Sequence, residues 1–155
     1  LQSQKLKGRV LDLGAGAGII GVALATLPRV NTVHMVDSSW SAVEAMKRTI
    51  EANRAFVSGD TLITTQHSEV SGSQSGAYDV VVTNPPFHDG REEDRELIAR
   101  FAQVAAQRMR ARACFYAVCN THLPYREALL RAFVKVDVAW EDNRFRVWSC
   151  RVART

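Results

Sequence analysis

Two clusters of residues in this 155-residue chain have types and spacings that suit chemistry. The first is Asp12-Leu-Gly-Ala-Gly-Ala-Gly18, an acid followed by glycines at 14, 16 and 18. The second is Asn84-Pro85-Pro86-Phe87. A glycine-rich turn lets backbone approach a ligand closely, because no side chain stands in the way. Read from Gly16, the same stretch spells G-x-G-x-x-G, ending at Gly21, which fits a dinucleotide loop and hydride chemistry. The acid separates the two readings. A carboxylate at Asp12 repels a pyrophosphate but attracts a cation. S-adenosylmethionine (SAM) carries a sulfonium and an ammonium group, so Asp12 favours it over NAD or FAD. Asp12 also suits a capping role, accepting backbone N–H bonds from the loop. The two roles are compatible.

The second cluster suits a planar amine. Two prolines in succession remove backbone donors and stiffen an extended turn, while their carbonyls remain acceptors. Asn84 adds a side-chain carbonyl and Phe87 a π-face. Two oxygens can then receive the N–H bonds of an amine while a ring stacks on its plane. Alone, N-P-P-F is compatible with an ordinary turn. Beside an acid-glycine loop it reads as a substrate site.

These clusters need elements to position them. Arg9 to Leu13 reads as a buried strand and Gly18 to Leu27 as a helix stopped by Pro28. Thr32 to Val36 is a second strand, ending at Asp37. An acid in that place accepts the hydroxyls of a ribose in either cofactor, or caps the next helix. That helix starts near Ser38 or Ser39 and runs to about Ala52, with Ala42, Val43, Met46 and Ile50 on one face. Thr61 to Thr65 is a third strand, and Ser68 to Gly76 a Ser/Gly-rich loop. Tyr78 to Thr83 is a fourth strand, stopped by Asn84-Pro85-Pro86. Glu92 to about Arg110 is an amphipathic helix, and Ala113 to Cys119 an apolar fifth strand. Pro124 to Phe133 reads as a short helix. Lys135 to Trp140 and Phe145 to Val152 form a hairpin around Glu141 to Arg144. Strands alternating with helices imply an α/β fold with a parallel sheet and helices on both faces, the hairpin adding antiparallel strands at one edge.

Composition narrows the class. One domain is expected at this length. No run of 18 apolar residues is present, so no transmembrane helix or membrane partner is expected, and the N-terminus lacks the apolar core of a signal peptide. Three cysteines without a C-x-x-C argue against a disulfide framework or a zinc site. A cytoplasmic setting and no metal are expected. The net charge of +4 is uneven: residues 91–155 carry 13 Lys and Arg against 8 Asp and Glu. Twelve of those 13 are Arg, whose planar fork suits phosphate, although a solvated basic face has the same composition.

With these residues in view, the chain resembles the class I SAM-dependent methyltransferases that act on exocyclic or amide nitrogen, whose motif is (N/D/S)-P-P-(Y/F/W). It is similar, more closely, to the bacterial ribosomal RNA guanine-N2 methyltransferases, small-subunit type C and large-subunit type G. The resemblance rests on Asn84-Pro-Pro-Phe-His88, on Ser68-Glu-Val70, on Asn120-Thr-His-Leu-Pro-Tyr125 and on Arg144-Phe-Arg-Val147. It spans nearly the whole chain. Two departures stand out. Ala111-Arg112-Ala113 occupies the place of the family's Pro-Gly-Gly turn. The residues of this chain open with Leu at the first strand and hold no counterpart of the degenerate N-terminal domain that aids RNA binding in that family. The chain is therefore expected to be a single catalytic domain, residues 1–155, from the C-terminal part of a longer protein.

The resemblance implies a Rossmann-like seven-stranded sheet and SAM as cofactor, with S-adenosylhomocysteine as product. Asp12, Gly14, Ala15, Gly16 and Gly18 would hold the methionine part, Asp37 and Ser38 the ribose side, and Thr65, Gln66 and His67, expected after the third strand, the adenine. Asn84, Pro85, Pro86 and Phe87 would be catalytic, with Asn84 also bordering the cofactor. Phe87, His88, Arg91, His122, Tyr125 and Arg144 are candidates for the substrate. Arg95 and Arg146 are further candidates for phosphate. His34, inside a strand, reads as structural, and Trp40, Trp140 and Trp148 as packing residues. The partner implied is RNA, ribosomal RNA or a ribosomal subunit, read by an enzyme expected to be monomeric. Adenine N6 and a protein glutamine amide are rivals for the accepting nitrogen. A non-catalytic RNA- or partner-binding module and a dinucleotide oxidoreductase are rivals of other classes.

Overall fold

The computed structural model describes residues 6–72, 76–86 and 92–153. Seven strands form one sheet in the order β3-β2-β1-β4-β5-β7-β6. They are β1 (Gly8–Leu13), β2 (Val30–Asp37), β3 (Leu62–His67), β4 (Tyr78–Thr83), β5 (Met109–Asn120), β6 (Lys135–Glu141) and β7 (Phe145–Arg151). The helices are α1 (Ile19–Ala25), α2 (Trp40–Ala52), α3 (Glu92–Arg108) and α4 (Arg126–Leu130). The first five strands pair in parallel, and β7 runs antiparallel to both β5 and β6. The parallel strands with an antiparallel hairpin at one edge agree with the alternation of strands and helices, and the Rossmann-like arrangement of seven strands with the resemblance. Among the described residues, no helix is long and apolar enough to cross a membrane.

Side chains alternate across each strand, so each strand feeds two cores. Val10, Val33, Met35, Val80 and Val82 face one layer, with Val22 and Leu24 of α1 and Val43 and Met46 of α2. Leu11, Leu13, Val36, Val81 and Phe115 face the other, with Ile98, Phe101 and Ala105 of α3 and Leu129 of α4. Asp12 shares the parity of Val10. Its carboxylate is therefore driven into the layer of α1, where only 1% of it is exposed.

Four boundaries differ from the sequence reading, each for a tertiary reason. β2 starts at Val30 and runs to Asp37, because its ends find partners in Gly8 of β1 and His67 of β3. β3 correspondingly extends to His67, so Thr65, Gln66 and His67 are the last residues of the strand rather than a loop after it. α4 is only five residues long. β5 begins at Met109, directly after α3, where a turn at 111–113 was expected. The turn survives as an irregularity within the strand. The register shifts between the pairs Tyr78–Met109 and Val80–Cys114, and Arg112 sits there at φ 69°. Among the described residues it is the one non-glycine with positive φ.

That left-handed conformation costs an L-residue about 1–2 kcal/mol, and glycine's extra unfolded-state freedom returns about 0.5–1 kcal/mol of this on substitution. Arg112→Gly is therefore expected to stabilise the chain by about 0.5–1 kcal/mol. Chemical denaturation measures it, and a less stable variant would show that the backbone at 112 is unstrained.

Candidate functional site

The site lies where the sheet's connections diverge. From β1 the chain steps outward to β2 and β3 on one side, then returns past β1 to β4 and β5 on the other. The carboxyl ends of β1 and β4 therefore lie at the switch point of the sheet, the usual ligand position in open α/β sheets. Leu13 and Thr83 are register partners. The Thr83 hydroxyl, fully buried, donates to the Leu13 carbonyl at 2.7 Å. The glycine loop that follows Leu13 and the Asn84 turn that follows Thr83 thus leave the sheet side by side.

The loop is held on β2. Gly14 N and Ala15 N donate to the Val36 carbonyl at 2.9 and 3.0 Å. Gly14, Gly16 and Gly18 all have positive φ, which explains the alternation of glycines. Their surroundings differ. A Cβ on Gly14 would press on the Phe101 ring at 3.0 Å, and one on Gly18 on Met35 and Met46. A Cβ on Gly16 would meet nothing within 4 Å. Gly16 is thus the loop position that opens outward.

Asp37 ties this loop to the next helix. One carboxylate oxygen accepts Gly16 N at 2.9 Å and the other Ser39 N at 2.9 Å. The capping role considered for Asp37 is therefore real, and each oxygen retains a lone pair for a hydroxyl. Ser39, at the N-cap of α2, makes no side-chain cap bond itself.

Asp12 does the corresponding work for α1. Gly18 stands at the N-cap of α1 and has no side chain to satisfy the first N–H groups. Asp12 Oδ2 reaches up from β1 and accepts Gly21 N at 2.9 Å. Its other oxygen, Oδ1, is buried with no hydrogen-bond partner among the described residues. Burial pushes the carboxyl up to about 7, against the Gly21 N–H, with a smaller upward contribution from Asp37. A cation brought to Oδ1 would restore the charged form. Gly21 completes the arrangement: a Cβ there would overlap Met35 and approach Asp12 Oδ2. The G-x-G-x-x-G pattern thus reflects helix-to-sheet packing at its last glycine.

On the other wall, Asn84 is exposed, Pro85 buried and Pro86 exposed. Phe87, His88 and Arg91 lie outside the described residues. The remaining candidates separate by burial. Gln66 is committed elsewhere: its Oε1 meets His34 Nε2 at 2.9 Å and its Nε2 donates to the Gly72 carbonyl. His34 is buried and also bonded to the Thr64 hydroxyl, which fits its structural reading. His67 lies beside the Ser38 carbonyl, 2.9 Å from its Nε2, and under the Trp40 ring, with centroids 4.0 Å apart. Trp40 is 66% exposed, so it is no packing residue; Trp140 is 47% exposed, and Trp148 alone of the three is buried.

Tyr125, expected at the substrate mouth, is 1% exposed and belongs to the core with Leu123 and Leu129. Burial pushes its hydroxyl up to about 12, and Asp94 adds to this. His122 is exposed. Arg144 is exposed beside Phe145 in the hairpin, which the Thr121 hydroxyl and amide tie to the end of β5. Arg146 is paired with Glu141 at 2.5 Å and lies over Trp148. The clamp of Thr83 was invisible in the sequence reading. Its signal was a hydroxyl placed on the inward parity of a strand, immediately before the Asn84 turn.

The family model of the methyltransferase small domain matches residues 1–149. A ribosomal RNA small subunit methyltransferase C of Shewanella loihica is 34% identical over 151 residues, 96% of this chain and 42% of the relative. The corresponding protein of Shewanella denitrificans is 32% identical over 148 residues, 95% and 41% of the two chains. The chain thus spans about two fifths of these relatives. Among solved structures, a T. thermophilus 16S rRNA N2 methyltransferase (RsmC), in complex with AdoMet and guanosine, superposes with a TM-score of 0.77. It is 28% identical, over 94% of this chain and 37% of that one.

Asp12 leaves a measurable signature. Its carboxyl is raised in the fold, so the stability it contributes is full below about 4 and is lost as pH rises through about 7. Asp12→Asn removes this loss. In the absence of ligand, the variant is expected to melt above the parent at pH 8 and to lose the parent's decline between pH 4 and 7. Parallel melting curves of the two proteins across that range would sink the assignment.

Proposed function

Because the chain belongs to the methyltransferase small domain family, a family of S-adenosylmethionine-dependent enzymes, we propose that it methylates the exocyclic N2 amine of guanine in ribosomal RNA. The observation that carries the reading is the juxtaposition of the two chain turns after Leu13 and Thr83. One offers a buried carboxylate oxygen with no hydrogen-bond partner among the described residues. The other offers an exposed asparagine between a buried strand and a buried proline. The names of the relatives and the guanosine bound to the T. thermophilus enzyme support guanine over adenine and over a protein amide.

The residues present fit the cofactor. Asp12 Oδ1 suits its ammonium group, the open face of Gly16 its close approach, and Asp37 its ribose hydroxyls. Bound there, SAM supplies an electrophilic methyl on a sulfonium. The chain's own part is to present the nitrogen. An aromatic exocyclic amine is a poor nucleophile, because its lone pair is delocalised into the ring. Asn84 Oδ1 and the Pro85 carbonyl accept its two hydrogens and favour the pyramidal form, so the lone pair turns toward the methyl. Phe87 stacks on the base. Positioning of this kind supplies much of the rate, and no strong general base is needed, since the proton leaves after attack. A paired base does not reach such a pocket, so the target is flipped or already single-stranded.

Asn84→Ala is expected to lower methyl transfer by about 10²–10³-fold while leaving SAM affinity by calorimetry near the parent's. The substrate is tested with labelled SAM and undermethylated ribosomal subunits. Label in N2-methylguanosine is the expected result. Label in N6-methyladenosine or in protein would reassign the substrate, and near-normal transfer by Asn84→Ala would sink the scheme.

A further inference from the structure

The opposite end of the sheet carries a second charged feature that the proposed reaction does not use. A cleft of about 380 Å³ opens at the start of β4 and is lined by Lys7, Arg29, Arg112 and Arg151. All four are exposed. The one carboxylate in its wall is Asp79, whose oxygens already receive Arg9 N at 2.8 Å and the Arg110 guanidinium at 3.2 Å. An adjoining open cleft of about 490 Å³ shares Lys7, Arg29 and Asp79 and continues the surface past Asn31. Asp79 lies five residues before Asn84 along β4, so the cleft is about 16 Å from the catalytic turn at the rise of a strand.

The charge of the lining points to an anion here. Lys7, Arg112 and Arg151 gathered round one cleft repel one another, and the acid in its wall among the described residues is already engaged, so the surface favours an anionic ligand. The backbone ties two of the arginines together, Arg151 Nη1 donating to the Arg112 carbonyl at 3.4 Å. Arg112 is held in a left-handed conformation that a glycine would adopt without strain, and its side chain lines this cleft. Strain of that kind persists where the surroundings or the function require it. Three of the four cations are arginines, whose planar forks match phosphate oxygens.

We propose that this cleft is a phosphate-backbone contact that holds RNA at a distance from the methylated base. The inference rests on the RNA reading above. With about 16 Å between the two places, only an extended polyanion reaches both. Contacts of this kind fix the position of a nucleic acid and carry no sequence information.

The test uses Arg112→Gly, Arg151→Ala and the double variant, with a fluorescein-labelled RNA hairpin as probe, read by anisotropy over a range of salt. Each single variant is expected to weaken RNA binding at least about threefold and to reduce the salt slope by about 1, with the double variant losing more. SAM affinity by calorimetry stays unchanged in all three. Arg112→Gly provides an internal control, since it is expected to melt above the parent while binding RNA less tightly. A structural role alone would move its melting temperature and leave RNA affinity untouched. Parent-like RNA affinity and salt slope in the variants would overturn the proposal and leave the RNA reading standing. Failure of the parent itself to bind the RNA, with SAM binding intact, would overturn both. Loss of binding to a poly-glutamate probe with RNA binding retained would assign the cleft to an acidic polypeptide and overturn the proposal.

Discussion

The structure depends above all on the pairing of β1 with β4. Parallel strands that are distant in sequence and adjacent in space bring their carboxyl ends to one edge. Here the register aligns Leu13 with Thr83, and the Thr83 hydroxyl closes on the Leu13 carbonyl. A shift of one residue would turn Asp12 away from α1 and Leu13 out of its core, because side-chain direction alternates along a strand. The register is therefore enforced by two cores at once. The glycine loop and the Asn84 turn inherit their separation from it.

Within that frame, the fold tolerates local costs at the candidate sites. Asp12 is a carboxylate placed almost wholly out of water, with one oxygen capping α1 and the other unpartnered among the described residues. Burying a charge in this way is unfavourable unless a partner compensates. The same oxygen that caps α1 fixes the direction of the one left over. Asp37 repeats the device at lower cost, bridging the glycine loop and the start of α2 with two backbone bonds while remaining accessible. At the far edge, Arg112 carries a backbone strain, and four cations share one cleft. The cores elsewhere are apolar and closely packed, and they supply the stability against which such local costs are set.

How far the sequence could be read follows from whether a signal was local. Strands such as Tyr78–Thr83 were legible because an apolar run bounded by Asn-Pro-Pro has one reading. Helix α2 was legible from its apolar spacing. The end of β3 was not, since Thr65, Gln66 and His67 are polar and pair only because β2 lies alongside. Tyr125 was expected at the substrate mouth, yet it is buried in the core it shares with Ile98 and Phe101 of α3. Trp40 looked like a packing residue, yet it lies outside the core on His67. In each case the neighbour that decided the outcome is remote in sequence.

By itself the sequence determined the α/β class, the two clusters of chemically suited residues and the preference for a cationic cofactor. These follow from residue type, spacing and the periodicity of single elements, and none of them needs a remote contact. Tertiary structure alone decided which oxygen of Asp12 is unpartnered among the described residues, because that depends on the α1 N-terminus above it. It decided that Gly16 opens outward while Gly14 and Gly18 pack against Phe101 and Met35. It also assembled Lys7, Arg29, Arg112 and Arg151 from four separate parts of the chain into one cleft. A linear charge count registered Arg112 and Arg151 only within an excess of arginine in the second half, and did not single out Lys7 or Arg29 at all. Their meaning as a site arises from distance in space, which pairing of the strands sets and sequence order does not.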